Sequence, residues 1–473
     1  MTENKKKAFG VIVGTRGCFN GELAREGRRE ILDLLEKEGY QAVILPEDAT
    51  PTGAVETTED GLKCAKFFAA HADSIAGIIV TLPNFSNELG VVNAVHMAKL
   101  DVPVLVQAFD DEINKVSVRE RRDSFCGKIS VCNNFNQYGI PYTETTNHTC
   151  SLSSDEFKSD LQHFAKVCRV ANGLSEARIG AVGARPGDFQ TMRYSEKLLQ
   201  DSGITVVTVD LSEILGAAEK IGDKDATVTR KIEEINAYGR IIDSVPMERV
   251  IRQAKFGLSL EAWMQQNRID AAGVQCWTSI QENYGCASCL SMSMLSNQLI
   301  PCACEVDVCG VISMYALTLA SEKPSAILDW NNNYGDDRDM CVNTHCSNFP
   351  KDFIGKEVEI SNLDVLGTVL GPENCFGAIK GKVQAGPMSF FRISTDDYNG
   401  GIKAYAGQGN FTDDPFDMNG GIAVCKVPDL RELMRFICKN GFEHHVAMVR
   451  GNAADAVSDA CEEYLGWDIH RHS

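Results

Sequence analysis

The chain has 473 residues, 44% of them apolar, and 65 acidic against 46 basic side chains give it a formal charge of −19. That length holds two to three domains at about 150 residues each, and the acidic excess argues against nucleic acid as a partner. No apolar run follows MTENKKK and none approaches the ~18 residues of a membrane span, so a cytoplasmic address is expected, with no membrane partner and with the 18 cysteines reduced.

Residues 9–13 form a β-branched run, followed by the turn Gly14-Thr15-Arg16-Gly17 and an amphipathic stretch over 22–38, which reads as a βα unit. Residues 42–45, 75–80 and 102–106 repeat the theme. The alternation predicts a doubly wound parallel sheet for a first α/β domain, 1–153. Loops at strand ends then matter, which singles out Arg16 and Thr81-Leu82-Pro83-Asn84. A second α/β domain, 154–322, opens on a strand at 178–184 and a loop bearing Arg185, Pro186, Gly187 and Arg193. The spacing of Gly180, Gly183 and Gly187 departs from the dinucleotide fingerprint, so no nucleotide site is expected. Strands at 204–209 and 269–277 follow, the latter ending near Gln275 and Trp277. An aromatic plate beside an amide suits the apolar face and the hydroxyls of a sugar.

Glu282 lies in the polar turn QENYG. Cys286 and Cys289, and then Cys302 and Cys304, are closely spaced, but they run into apolar helix rather than the polar turns of a zinc finger. Buried thiols acting as small hydrophobes are the expected reading. Val308, Val311, Ile312, Tyr315, Ala316 and Leu319 recur at helical intervals, which leaves Glu305 just before a first turn. Residues 326–328 read as a short buried strand whose carboxyl end delivers Asp329. From about Lys323 the texture changes to short glycine-punctuated strands, at 356–360, 365–370, 377–383, 390–395, 401–409 and 423–427, closed by a helix over 429–440. This predicts a β-rich C-terminal domain, 323–473, in the form of a small barrel. Glu443-His444-His445 follows, and adjacent histidines on a strand point opposite ways, one toward a metal and one toward a substrate.

Two carboxylates, Glu305 and Asp329, with one imidazole from Glu443-His444-His445, suit Mn²⁺ or another divalent cation better than they suit a thiolate zinc site. ACEVDV, SMYALTLAS, the strand ending in Asp329, HCSNFP around His345 and GFEHHVAM follow one another in an order that resembles the L-fucose isomerase and L-arabinose isomerase family of aldose–ketose isomerases. The resemblance implies that Glu305 and Asp329 are metal ligands and proton acceptors, with His445 as the third ligand. The sugar contacts are assigned to Arg16, Arg193, Gln275, Trp277, His345 and His444. It also implies a homo-oligomer, by analogy a hexamer, with sites near subunit contacts. The expected substrate is a 6-deoxy hexose or a pentose, or a 6-deoxy-6-sulfo hexose if Arg16, Arg185 or Arg193 reaches the pocket's far end. A non-catalytic sugar binder shares the N-terminal layout, and a metal-dependent aldolase or hydrolase shares the ion. Both readings stay open at this point.

Overall fold

A computed structural model describes residues 8–355 and 358–473. The chain divides into two compact units after Asn172. The first is built on five parallel strands: β1 (Ala8–Val13), β2 (Gln41–Ile44), β3 (Ile75–Leu82), β4 (Val104–Ala108) and β5 (Thr143–Glu144), in the order β2-β1-β3-β4-β5. Ile31, Leu35, Phe157, Leu161 and Phe164 belong to one apolar cluster against this sheet, while Phe68, Val91, Val95 and Phe135 belong to another. A strand covered on both faces needs unbroken apolar side chains, which is why residues 9–13 and 75–80 read without alternation. Strand order reverses between β1 and β3, and Arg16 follows β1. Its guanidinium is 2.5 Å from Glu88, donates to the Ser86 carbonyl and lies over the Phe85 ring at 4.2 Å.

The second unit contains β6 (Arg178–Val182), β7 (Thr205–Val209), the two-residue β8 (Arg240–Ile241), β9 (Ala271–Val274) and β10 (Cys302–Cys304). All but β8 form a parallel sheet in the order β10-β9-β6-β7. There follow β11 (Ser325–Tyr334), β12 (Asp337–His345), β13 (Glu359–Asn362), β14 (Phe376–Lys382), β15 (Gly386–Asp396), β16 (Gly401–Thr412), β17 (Gly421–Lys426), β18 (His445–Arg450) and β19 (Asp468–Arg471). Because β16 pairs with both β15 and β17, the strands β16-β15-β18-β11-β12-β17 close into a six-stranded antiparallel barrel. Closure leaves none of these six with a free edge. Met388, Phe390, Tyr405, Val446 and Met448 are buried in the adjoining core, each contributing about 1.5–3 kcal/mol through the apolar surface it removes from water.

The helix Val308–Ser321 is buried on nearly every side, and it packs against β9 on one hand and β15 and β18 on the other. A helix in that position must be apolar all round. Asp307 caps it by accepting from the Gly310 N–H at 2.8 Å. The junction of parallel sheet and barrel is therefore where Glu305 enters the fold.

Three local expectations change. Residues 365–370 are not a strand but the helix Asp364–Leu370, whose Leu366 and Leu370 pack on the neighbouring core before Gly371 and Pro372 end it. The strand bearing Asp329 is longer than 326–328 and antiparallel, so Asp329 sits mid-strand in the barrel wall rather than at the edge of a parallel sheet. Glu282 lies in the short helix Ser279–Asn283 rather than in a turn. Of the strand expected at 356–360, the first two positions lie outside the described residues, and the observed strand is β13.

Candidate active site

Three adjacent barrel strands and one turn build the site. Asp329 on β11 pairs in register with His445 at the start of β18, and β12, on the other side of β11, ends at His345. The side chains of Asp329, His345 and His445 form a group whose donor atoms lie within 4.8 Å of one another. Glu305 comes from the turn after β10, where it and Val306 both adopt left-handed backbone, φ 63° and 55°. Such conformations cost of order 1–3 kcal/mol each and persist only where the surroundings impose them. Here Gly273 of β9 packs so tightly against Val306 that an added Cβ would lie 2.9 Å from its carbonyl carbon. The turn swings Glu305 Oε2 to 3.0 Å from His445 Nε2, and Asp329 Oδ1 lies 3.4 Å from the same nitrogen.

Asp329, His345 and His445 form a group able to hold a metal ion. His445 Nδ1 is already committed to Asp307 Oδ2 at 2.8 Å, so Nε2 can serve one partner, yet two carboxylates converge on it. Glu305 Oε2 is buried and has no partner in hydrogen-bonding geometry. Ligands of a six-coordinate divalent ion stand about 3 Å apart when bonds are about 2.1 Å, which matches these separations. Asp329, His345 and His445 have the donor set of a hard divalent ion, and Glu305 Oε2, 3.0 Å from His445 Nε2, stands beside that group but outside it. Burial works against charge on His445, but Asp307 and Glu305 outweigh it and push its pKa up to about 9. For His345, burial is likewise outweighed by Cys346 and Asp329, and its pKa rises to about 10. Burial would raise Asp329, but the imidazoles of His345 and His445 lower it overall. Cation binding at such a site releases protons.

A buried charge network stands behind these candidate ligands. Arg392 donates to Asp307 through Nη1 at 2.5 Å and Nη2 at 3.1 Å, and through Nε to Glu443 at 3.2 Å. Glu443 also accepts from Ser394 at 2.8 Å. Asp307 orients His445 as carboxylates orient metal-bound imidazoles generally. Its pKa is held well below the usual carboxylate range because Arg392 and His445 overcome its burial. The rim is different in kind. Trp277 Nε1 donates to Glu305 Oε1 at 3.1 Å, and Phe189 meets both Trp277 and His444 edge-on, with centroids 5.8 and 5.6 Å away. His444 is 43% exposed while His445 is 1% exposed, yet the two do not face opposite ways: His444 precedes the strand, its ring lies 4.6 Å from that of His445, and both approach Asp329 Oδ1, at 3.9 and 3.4 Å.

The remaining candidates are dispersed. Gln275 accepts from the Ala184 N–H at 2.9 Å and lines a cavity with Gly183, Asp210 and Asn283 at the ends of the parallel strands. Arg193 is exposed and lines a cavity of about 430 Å³ with Tyr194, Thr395 and Glu443. Arg16 belongs to the first unit. Sequence reasoning passed over Asp307, Arg392 and Phe189. Asp307 had a signal, a helix-capping carboxylate two residues past Glu305. Arg392 had a weaker one, a lone cation in the apolar strand FFRIS.

Residues 10–175 match the family of fucose/sulfoquinovose isomerase N-terminal domains, and residues 343–472 match the L-fucose isomerase C-terminal domain. The chain belongs to the L-fucose isomerase family. As a member of that family it is an aldose–ketose sugar isomerase. Its curated relatives include the sulfoquinovose isomerases of Priestia aryabhattai and Priestia megaterium, each 23% identical over 447 residues, 93% of this chain and 94% of the relative. The sulfoquinovose isomerase of Alkalicoccus urumqiensis is 21% identical over 369 residues, 76% of this chain and 79% of the relative. Among the described residues of this L-fucose isomerase family member, no helix is long and apolar enough to cross a membrane.

Proposed function

We propose that the enzyme interconverts sulfoquinovose, a 6-deoxy-6-sulfo aldose, and its ketose, with Mn²⁺ or a similar divalent ion held by Glu305, Asp329 and His445. The observation that carries the substrate is that relatives named for sulfoquinovose align over nearly the whole chain. A sulfonate at the sugar's last carbon calls for a fixed cation, and arginine is the side chain suited to a planar or bidentate oxyanion contact. Arg193 and Arg16 are the candidates.

Moving a carbonyl between the first two carbons requires taking a proton from the carbon beside it. When bound, the ion supplies Lewis-acid stabilisation of the enolate charge that develops, worth several kcal/mol. Of Glu305 and Asp329, one carboxylate takes the proton from carbon and returns it to the neighbouring carbon by way of a cis-enediol, and the other moves a proton between the two oxygens. The Trp277 N–H ties down Glu305 Oε1 and leaves Oε2 for this work. Asp307 fixes His445 through Nδ1, so that its Nε2 faces the same space. The rings of Phe189 and Trp277 supply apolar surface that excludes water and receives a sugar face.

In this reading the second domain, residues 154–322, contributes Glu305, and the C-terminal domain, residues 323–473, contributes Asp329 and His445. The N-terminal domain, residues 1–153, with Arg16, serves a neighbouring subunit's pocket in a homo-oligomer, by analogy a hexamer. The test is a substrate panel with metal-stripped enzyme and added Mn²⁺, comparing sulfoquinovose with L-fucose, L-arabinose and D-arabinose. Mn²⁺-dependent, mass-neutral conversion with kcat/KM highest for sulfoquinovose is expected. A higher kcat/KM for an uncharged sugar overturns the substrate assignment.

A further inference from the structure

A cleft of about 610 Å³ opens in the second unit, at the carboxyl ends of β6, β7 and β9. Its lining includes neither the carboxylates and imidazoles of the candidate active site nor Trp277 and Phe189, so it is a separate feature. The chain runs from β6 out to β7 and then returns to place β9 on the other side of β6. In open parallel sheets such a reversal leaves a crevice in which ligands bind. Gly183 follows β6 and Gln275 follows β9, so the cleft takes in both sides of the reversal. Two glycines keep it open. Gly183 has φ 83°, and a Cβ there would collide with Gln275 Oε1. Gly216 lies inside the helix Leu211–Lys220, where glycine is disfavoured. Packing does not call for it, because an added Cβ would meet no heavy atom within 4 Å. What the bare backbone provides is room in the cleft that Gly216 lines.

The polar lining selects the class of ligand. Asp210 follows β7, and its Oδ1 accepts from the Ser212 N–H at 2.8 Å, which leaves Oδ2 for a further donor. Gln275 Oε1 accepts from the Ala184 N–H at 2.9 Å, which leaves Nε2 to donate. Asn283 donates through Nδ2 to Ser279, which leaves Oδ1 to accept. Glu219 adds a second carboxylate, and among the described residues no lysine or arginine lines the cleft. An anion would meet repulsion there, in keeping with the glycine spacing after β6, which departs from the phosphate-binding fingerprint. Leu211 and Leu215 supply apolar surface. Acceptors and an amide donor beside apolar surface suit a ring that carries adjacent hydroxyls, each of which donates and accepts.

We propose that this cleft binds a neutral ring compound with a vicinal diol, the hydroxyls held by Asp210 and Gln275 and the ring lying against Leu215 and Gly216. A free furanose sugar and the ribose of a nucleoside share that chemistry. The site is additional to the one that isomerises sugar, and it does not depend on which sugar that is.

The experiment uses the full-length protein and two probes without a reducing end, methyl β-D-ribofuranoside and adenosine, neither of which can be isomerised. Binding is read by ligand-observed NMR titration. Saturable binding of at least one probe, at millimolar concentration or below, is expected. It should be lost in Gly216→Leu, which fills the cleft while favouring the helix, and weakened in Asp210→Asn, which keeps the helix cap. Removing both hydroxyls of the diol should weaken binding by about 10-fold or more, and adding a 5′-phosphate should weaken it as well. Tighter binding of adenosine than of the riboside identifies a nucleoside as the occupant, and affinity for the riboside that equals or exceeds that for adenosine identifies a free sugar. No binding of either probe overturns the proposal, as does binding that Gly216→Leu leaves unchanged, or tighter binding of the 5′-phosphate than of the neutral compound.

Discussion

Asp307, Arg392 and Glu443 form a back wall of charges that are each at most 8% exposed, whereas Phe189, Trp277 and His444 form a rim that is partly open and depends largely on ring contacts. The wall and the rim flank the same few candidate ligands, but they obey different energetics. A buried ion network tolerates no loss of a partner, because the survivor is left charged and dry. Ring contacts of the rim are worth only about 0.5–1.5 kcal/mol each and can be exchanged. The comparison assigns the geometry of the chemistry to the wall and the tuning of substrate affinity to the rim.

Substitutions that separate the two should fall in a definite order. Glu305→Gln keeps the shape and the Trp277 contact but removes the base, so kcat should drop by about 10²–10⁴ with the fold intact by circular dichroism. Arg392→Leu strands Asp307 and Glu443, and chemical denaturation should show a loss of about 3–5 kcal/mol in stability. Asp307→Asn removes the charge that orients His445, and Mn²⁺ affinity measured by calorimetry should fall by about 10–100-fold. Gly310→Ala tests the packing of the wall, since its Cβ would overlap Asp307 Oδ2 and lie 2.8 Å from Arg392 Nη1. It should cost about 1–3 kcal/mol in the same denaturation assay. Phe189→Ala at the rim should raise KM by about 2–10-fold and leave kcat nearly unchanged. A rim variant that abolished turnover, or a wall variant without effect on stability or metal affinity, would break the division.

The clustered residues were partly legible because their signals are local: Glu305 before an apolar helix, Asp329 after a buried run and one buried histidine of an adjacent pair; that His345 shares a donor group with Asp329 and His445 was not. The β-rich texture of the last third was legible too, and the barrel is there. What was not legible depends on non-local pairing. Asp329 reads as the end of a parallel strand until β18 and β12 are placed on either side of it. Arg392 reads as a strand residue until the helix Val308–Ser321 brings Asp307 against it. Residues 365–370 carry β-branched residues that suit a strand, and tertiary packing of Leu366 and Leu370 made them a helix. The closely spaced cysteines read correctly as buried free thiols, because the apolar residues around Cys286, Cys289, Cys302 and Cys304 already marked them as core.

The central claim is that carboxylates move a proton between two carbons, and running the isomerisation in D₂O tests it most directly. Deuterium at the first carbon of the ketose, read by NMR early in the reaction, is the predicted result, since a proton held by Glu305 or Asp329 exchanges with solvent. Complete retention of the substrate's own hydrogen would contradict it and point to direct hydride transfer between the carbons.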